Sequence, residues 1–327
     1  MRQKQVRRAT QYPLRPSLCD TAIVNPKVRA WMLILIIASV CAAMTGAMVW
    51  YRSRRLTTAG LLKRMPSVDS LVVYIDFEKL RQAGLVQLLY GSQADQDPEY
   101  KAFATKTDFH WAQDLDSAIL AVAPSGKYIV ARGRFDWKSL RSFVDDAGGE
   151  CYNTLCKIQG SSQERRISFL PLQSDVMAMA VSDDGSAATR LTETIGGPDP
   201  EVPDAPIWLS IPASILKSNT LPEGTVSFAR SVADSDRVTL MFVPEGKRLA
   251  AKLSVLCRSA EDAGKVVDDL TKKTGILRSM IAHAHAKPDP ADVTGVLTAG
   301  SFQANGRRVF GYWPIETAFV EKTLGAR

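Results

Sequence analysis

The chain has 327 residues, 46% hydrophobic and 23% charged, which excludes a disordered protein and leaves room for one large domain or two small ones. Its formal charge of +7 is unevenly spread. Residues 1–65 hold 12 Lys/Arg and one acid, Asp20; residues 66–327 hold the other 29 of 41 bases and 33 of 34 acids, a balance of −4 that excludes a basic nucleic-acid face on the folded part.

Residues 1–29 form a basic tail with Pro13, Pro16 and Pro26 and no apolar period, expected to be disordered, cytoplasmic and drawn to anionic headgroups. Residues 30–50, AWMLILIIASVCAAMTGAMVW, carry no charge. At about 1.5 Å per residue such a helix spans the roughly 30 Å core of a bilayer, so a transmembrane helix is expected over 30–51. Trp31, Trp50 and Tyr51 would then sit at the membrane interfaces. The run exceeds the roughly 7–15 residues of a signal-peptide core, and Val40 precedes Cys41 where a lipoprotein needs a small residue, so a retained anchor is expected. Small residues at Ser39, Ala42, Ala43, Gly46 and Ala47 suit weak self-association of such a helix. Bases flank both ends, so the positive-inside rule is nearly balanced. Cys151 and Cys156 bracket CYNTLC, a spacing suited to a small disulfide loop and hence to an oxidising compartment. The expected address is the inner membrane of a bacterium, with the N-terminus cytoplasmic and the domain extracytoplasmic.

Residues 52–65 read as a juxtamembrane spacer. A strand is expected over 71–75, with Asp76 capping a helix over 77–90 and a polar loop over 91–98. After a helical or irregular patch over 100–111, runs 115–123 and 128–134 predict a hairpin. Asp136 mirrors Asp76, since DFEKLR and DWKSLR both follow a strand. Runs 167–172 and 176–181 predict a strand pair, followed by a helix over 184–195. Residues 196–206, GGPDPEVPDAP, mark a boundary. Beyond it, run 207–211 leads into Pro212, strands are expected over 225–232, 238–243 and 249–257, and Ser259 with Asp262 suggests a capping box for a helix over 260–284. Runs 293–303 and 307–313 flank Asn305-Gly306, a strong hairpin signal, and Pro314 is placed at the start of a last helix running to 324. The fold class that follows is α+β: mostly antiparallel sheets built from repeated hairpin-plus-helix units, in two halves over 66–197 and 204–327, preceded by the transmembrane helix.

Catalytic patterns are sparse. His283-Ala-His285 ends a helical run, where imidazoles two apart point about 200° from each other, so no metal site is expected there even with Asp289 and Asp292 nearby. AVAPSGK at 121–127 lacks the first glycine of a phosphate loop, has Tyr128 in place of Ser/Thr and leads into a strand. No G-x-S-x-G or H-E-x-x-H occurs. The pairs Asp145-Asp146, Asp183-Asp184 and Asp268-Asp269 read as solvated faces or caps, and Cys257 as a core residue.

The sequence P-S-V-D-S-L-V-V-Y-I-D at 66–76, G-R-F-D at 133–136 and G-Y-W-P at 311–314 resembles a group of uncharacterised bacterial single-pass membrane-anchored proteins whose extracytoplasmic domains are repeated strand–helix units. The resemblance implies fold and address; it carries no activity and no cofactor. The expected function is a membrane-tethered extracytoplasmic binding or scaffolding domain, with the lipid bilayer and an envelope protein or ligand as partners and no nucleic acid. The alternative is an envelope-directed hydrolase whose site is assembled from scattered carboxylates and His110 or His283.

Overall fold

The computed structural model describes residues 26–53, 56–86, 98–160, 162, 165–197, 199–218, 221, 224–246 and 248–324. The chain divides into two units, Met1–Leu56 and Thr57–Arg327. The first contains the helix Pro26–Ser53. Among the described residues no helix is long and apolar enough to cross a membrane. The expected span over 30–51, the inner-membrane address and the topology drawn from them are therefore corrected. The side chains of Trp31, Trp50 and Tyr51 lie outside the described residues, as does the tail over 1–25.

The second unit is built on one 12-stranded sheet in which every neighbouring pair is antiparallel. The strands are β1 (Leu71–Asp76), β2 (Leu115–Ala123), β3 (Gly126–Gly133), β4 (Glu150–Tyr152), β5 (Leu155–Gln159), β6 (Arg166–Gln173), β7 (Val176–Ser182), β8 (Ile207–Ile211), β9 (Arg237–Glu245), β10 (Arg248–Leu256), β11 (Ser301–Asn305) and β12 (Arg308–Ile315). Their spatial order is β11-β12-β10-β9-β8-β1-β2-β3-β7-β6-β5-β4.

That order contains one motif twice. From the centre outward it runs β1-β2-β3-β7-β6 on one side and β8-β9-β10-β12-β11 on the other. In each half a first strand leads through helix to a hairpin, then through a further helix to an outer hairpin; the first half carries in addition the helices Pro98–Thr107 and Trp111–Asp114 and the edge hairpin β4–β5, and the second the helices Val226–Val232 and Val293–Thr298. The copies meet where β1 pairs with β8, with Val73 opposite Leu209, flanked by Val72↔Ser210 and Tyr74↔Trp208. Val73 precedes the N-cap Asp76 by the same distance that Leu209 precedes the N-cap Pro212, so a local two-fold passes through this pair. The repeated unit is thus a topological duplication closed into a single sheet.

Local chemistry explains the junctions. The Asp76 carboxylate accepts from the Lys79 amide at 2.8 Å, and Asp136 accepts from the Lys138 and Ser139 amides at 2.9 and 3.3 Å. Ser259 Oγ accepts from the Asp262 amide at 3.0 Å, starting the helix Ala260–His283. Gly246 and Gly306 open the two hairpin loops of the second copy at φ +63° and +56°, a conformation that costs glycine little.

Prolines inside strands follow the sheet's edges. Pro171, Pro244 and Pro314 each lie beyond the last pair made by one neighbour, so the missing N–H breaks no ladder bond on that side. This corrects Pro314, expected to start a helix, which lies in β12 opposite Ala250. Pro212 is a cap, preceding the helix Ala213–Lys217. The run 225–232, expected as a strand, is the helix Val226–Val232, burying Phe228 and Val232 one turn apart. Residues 293–298 are likewise helical, and only Ser301–Asn305 pairs with β12. The helix after β1 ends at Gln82, where Gly84 turns at φ +70°; residues 87–97 lie outside the described set. The helix expected over 184–195 is a 3-10 helix, Ala187–Thr192.

One sheet face is covered by helices. Leu140 and Val144 pack with Phe169, Met177 and Cys156; Leu270 and Ala263 with Leu253, Val255 and Val309; and Leu80 and Ala112 with Ile75 and Ile207 across the junction of the copies. The opposite face differs between copies. In the first, Tyr128, Ala178 and Ala180 are buried, and Ala187, Ala188 and Leu191 of the 3-10 helix pack over β6 and β7. In the second, Met241, Lys252, Ser254, Phe310 and Tyr312 remain partly exposed. Sheet alternation explains both, because residues two apart share a face.

Candidate functional site

The covered and the exposed parts of that face meet at a cleft. Its floor is the sheet at Val72, Trp208, Ser210 and Thr239, and one wall is Leu62, Met65 and Ser70. The other wall is a strap, residues 199–206, contributing Pro200, Glu201 and Pro203. The cavity measures about 280 Å3 and adjoins a smaller one of about 110 Å3 that extends to Met241, Ser254, Leu256 and Arg308. The two share Glu201, Pro203, Arg237 and Thr239.

Three features give the cleft chemistry. First, Trp208 is 3% exposed and stacks on Tyr74 with centroids 5.5 Å apart and planes at 20°. Its indole N–H is buried and meets no acceptor among the described residues. A buried donor left unmet costs roughly 1–3 kcal/mol, so such groups need explaining. Second, the hydroxyl residues Ser70 and Thr239 are buried beside it. Third, Glu201 Oε2 accepts from Arg308 Nη2 at 2.9 Å and lies 3.5 Å from Arg237 Nη1. The Arg308 hydrogen bond holds the Glu201 carboxyl below the usual carboxylate range and raises the guanidinium's pKa.

The strap is fastened chiefly by its acids. Asp199 pairs with Lys63 at 2.6 Å, Glu201 with the two arginines, and Asp204 with Lys79 at 2.9 Å. Backbone bonds hold the chain at its end and just before it, from the Asp76 amide to the Pro206 carbonyl and from the Ile195 amide to the Lys63 carbonyl, both at 2.7 Å. Lys79 lowers the Asp204 pKa through its hydrogen bond. Carboxyls depressed in the folded state add stability above the ordinary carboxyl range, and this is lost as pH falls through their lowered values. Urea unfolding between neutral and acid pH is therefore expected to show a smaller loss of stability for Glu201→Gln than for the wild type. Identical pH slopes would show that Glu201 contributes nothing to closure.

The residues singled out in the sequence lie elsewhere. Cys151 and Cys156 are bonded, S–S 2.02 Å, and sit opposite each other between β4 and β5 at the sheet's far edge. His110 precedes the helix Trp111–Asp114, with Nε2 3.7 Å from Asp108 Oδ1. His283 Nδ1 contacts the Ser279 carbonyl at 2.8 Å at a helix end, away from the cleft's lining. Asp146 pairs with Lys106, Asp269 with Lys273, and Asp184 accepts from Ser186. Cys257 is buried, which pushes its thiol pKa up. Among the described residues no group of three or more His, Cys, Asp or Glu is placed to hold a metal ion. Trp208, Glu201, Arg237 and Arg308 carried no sequence signal as a group, since they converge from the strap, β8, β9 and β12.

No family model matches the sequence, and no curated protein matches it. Among solved structures, crystal form I of TP0453 aligns over 84% of this chain and 98% of that chain, with TM-score 0.45 and 8% identity. Crystal form III covers 81% and 97% at TM-score 0.43 and 9% identity, and form IV covers 80% and 95% at 0.42 and 10%. At these scores the likeness supports no functional statement.

Proposed function

We propose that the protein is a non-enzymatic binding or scaffolding domain whose ligand enters the cleft beneath the strap. The observation that carries this reading is the partnerless indole N–H of Trp208 in a residue lining a cavity of about 280 Å3. A small apolar-walled cleft with a few fixed polar groups is the usual form of a ligand site. The convergent groups are the Trp208 indole N–H, the hydroxyls of Ser70, Ser210 and Thr239, and the Glu201 carboxylate, which is engaged by Arg308 and Arg237.

The test is a thermal-shift survey of small molecules on the full chain, repeated on Ser210→Phe. Ser210 lines the cavity floor, so a phenyl ring there fills the space. Compounds that raise the wild-type midpoint are expected to lose their effect on the variant, with far-UV circular dichroism unchanged. Equal shifts for both proteins, or turnover of a substrate abolished by one Asp or His substitution, would overturn the reading.

A further inference from the structure

We propose that Arg237 and Arg308 form a subsite for the carboxylate of a small organic acid, and that Glu201 of the strap occupies it as an internal stand-in. This rests on the binding reading above and adds the chemical class of the ligand.

The sheet builds the subsite. Leu256 of β10 lies opposite Arg237 of β9 on one side and Arg308 of β12 on the other. The arginines therefore stand in one cross-strand row on one face, about 10 Å apart at their backbones. From there both reach the same carboxylate oxygen, at 2.9 and 3.5 Å. Planar guanidiniums suit carboxylate geometry better than point charges do. Two of them facing a single carboxylate leave one positive charge unmatched within the trio, which favours an anionic guest.

The occupant is replaceable. Glu201 comes from a strap fastened by exposed ion pairs, which are individually weak and screened by salt. Behind its carboxylate the space continues past Thr239 to Trp208. A guest with its carboxylate on the arginines would lay its body along the floor toward Trp208. The cavity volumes limit that body to about the size of one substituted ring.

A tethered competitor acts at high effective concentration, so removing it should strengthen binding. The experiment is calorimetric titration of the full chain with 4-hydroxybenzoate and with its neutral isostere 4-hydroxybenzamide. Glu201→Ala is expected to bind the carboxylate at least about tenfold more tightly than the wild type, with no such gain for the amide. Adding Arg308→Ala should remove the gain while leaving the thermal midpoint near that of Glu201→Ala. Equal gains for acid and amide, or no carboxylate binding to Glu201→Ala at millimolar concentration, would overturn the proposal. If Glu201→Ala shows no gain for the carboxylate while neutral compounds bind and Ser210→Phe blocks them, the cleft reading stands and the anion subsite falls; if Ser210→Phe blocks nothing, both fall.

Discussion

Replacing Trp208 by alanine is expected to destabilise the folded unit by about 3–5 kcal/mol, the range for truncating a buried aromatic residue. Trp208 is 3% exposed and lies in a central strand, with Tyr74 opposite it on β1 and Met241 opposite it on β9. Its ring stacks on Tyr74 and lines the cleft. Truncation would therefore remove a large apolar contact, enlarge an existing cavity and loosen the seam between the two copies. The readout is the urea midpoint at unchanged slope, which separates a stability change from a change in the unfolded state. A loss below about 1 kcal/mol would mean that the seam does not bear on stability.

Leu209→Pro is expected to be of comparable severity. Leu209 is paired on both sides, with Val73 and with Leu240, so a proline there removes a ladder donor in the middle of the sheet. By analogy with a proline forced into regular structure, the cost is about 3 kcal/mol or more, enough to depopulate a marginally stable fold. The natural prolines supply the control. Pro244 sits past the end of its pairing with β8, so Pro244→Val should leave stability within about 0.5 kcal/mol of the wild type. Circular dichroism and urea unfolding of the two variants side by side check the contrast. Equal tolerance at both positions would show that β8 is not a central strand.

These two substitutions also mark where the sequence was and was not legible. Caps at Asp76, Asp136 and Ser259, and the Asn305-Gly306 turn, act over three or four residues, and each carries its own signal. Short apolar runs are ambiguous in period. Val226–Val232 has the β-branched ends of a strand but folds as a helix, because Phe228 and Val232 reach the core from one face. Pro314 looks like a helix start until the neighbouring strand is known to stop short of it. The charge-free run over 30–50 satisfies a criterion of composition, while the described helix fails the criterion of apolar length. The segment 196–206 reads as a boundary and lies between β7 and β8; its role in holding Glu201 against Arg308 links residues 107 apart and leaves no local trace. The strand–helix echoes anticipate repetition, whereas the register that joins the copies through Val73 and Leu209 depends on pairing that periodicity does not encode.

The central claim is that two copies of one motif form a single cooperative sheet across β1 and β8. Differential scanning calorimetry of the wild type and Trp208→Ala tests it most directly, since that residue belongs to the seam. The account predicts one transition for residues 57–327 in each protein, moving as a whole to lower temperature in the variant. Two separable transitions, of which only one moves, would contradict it.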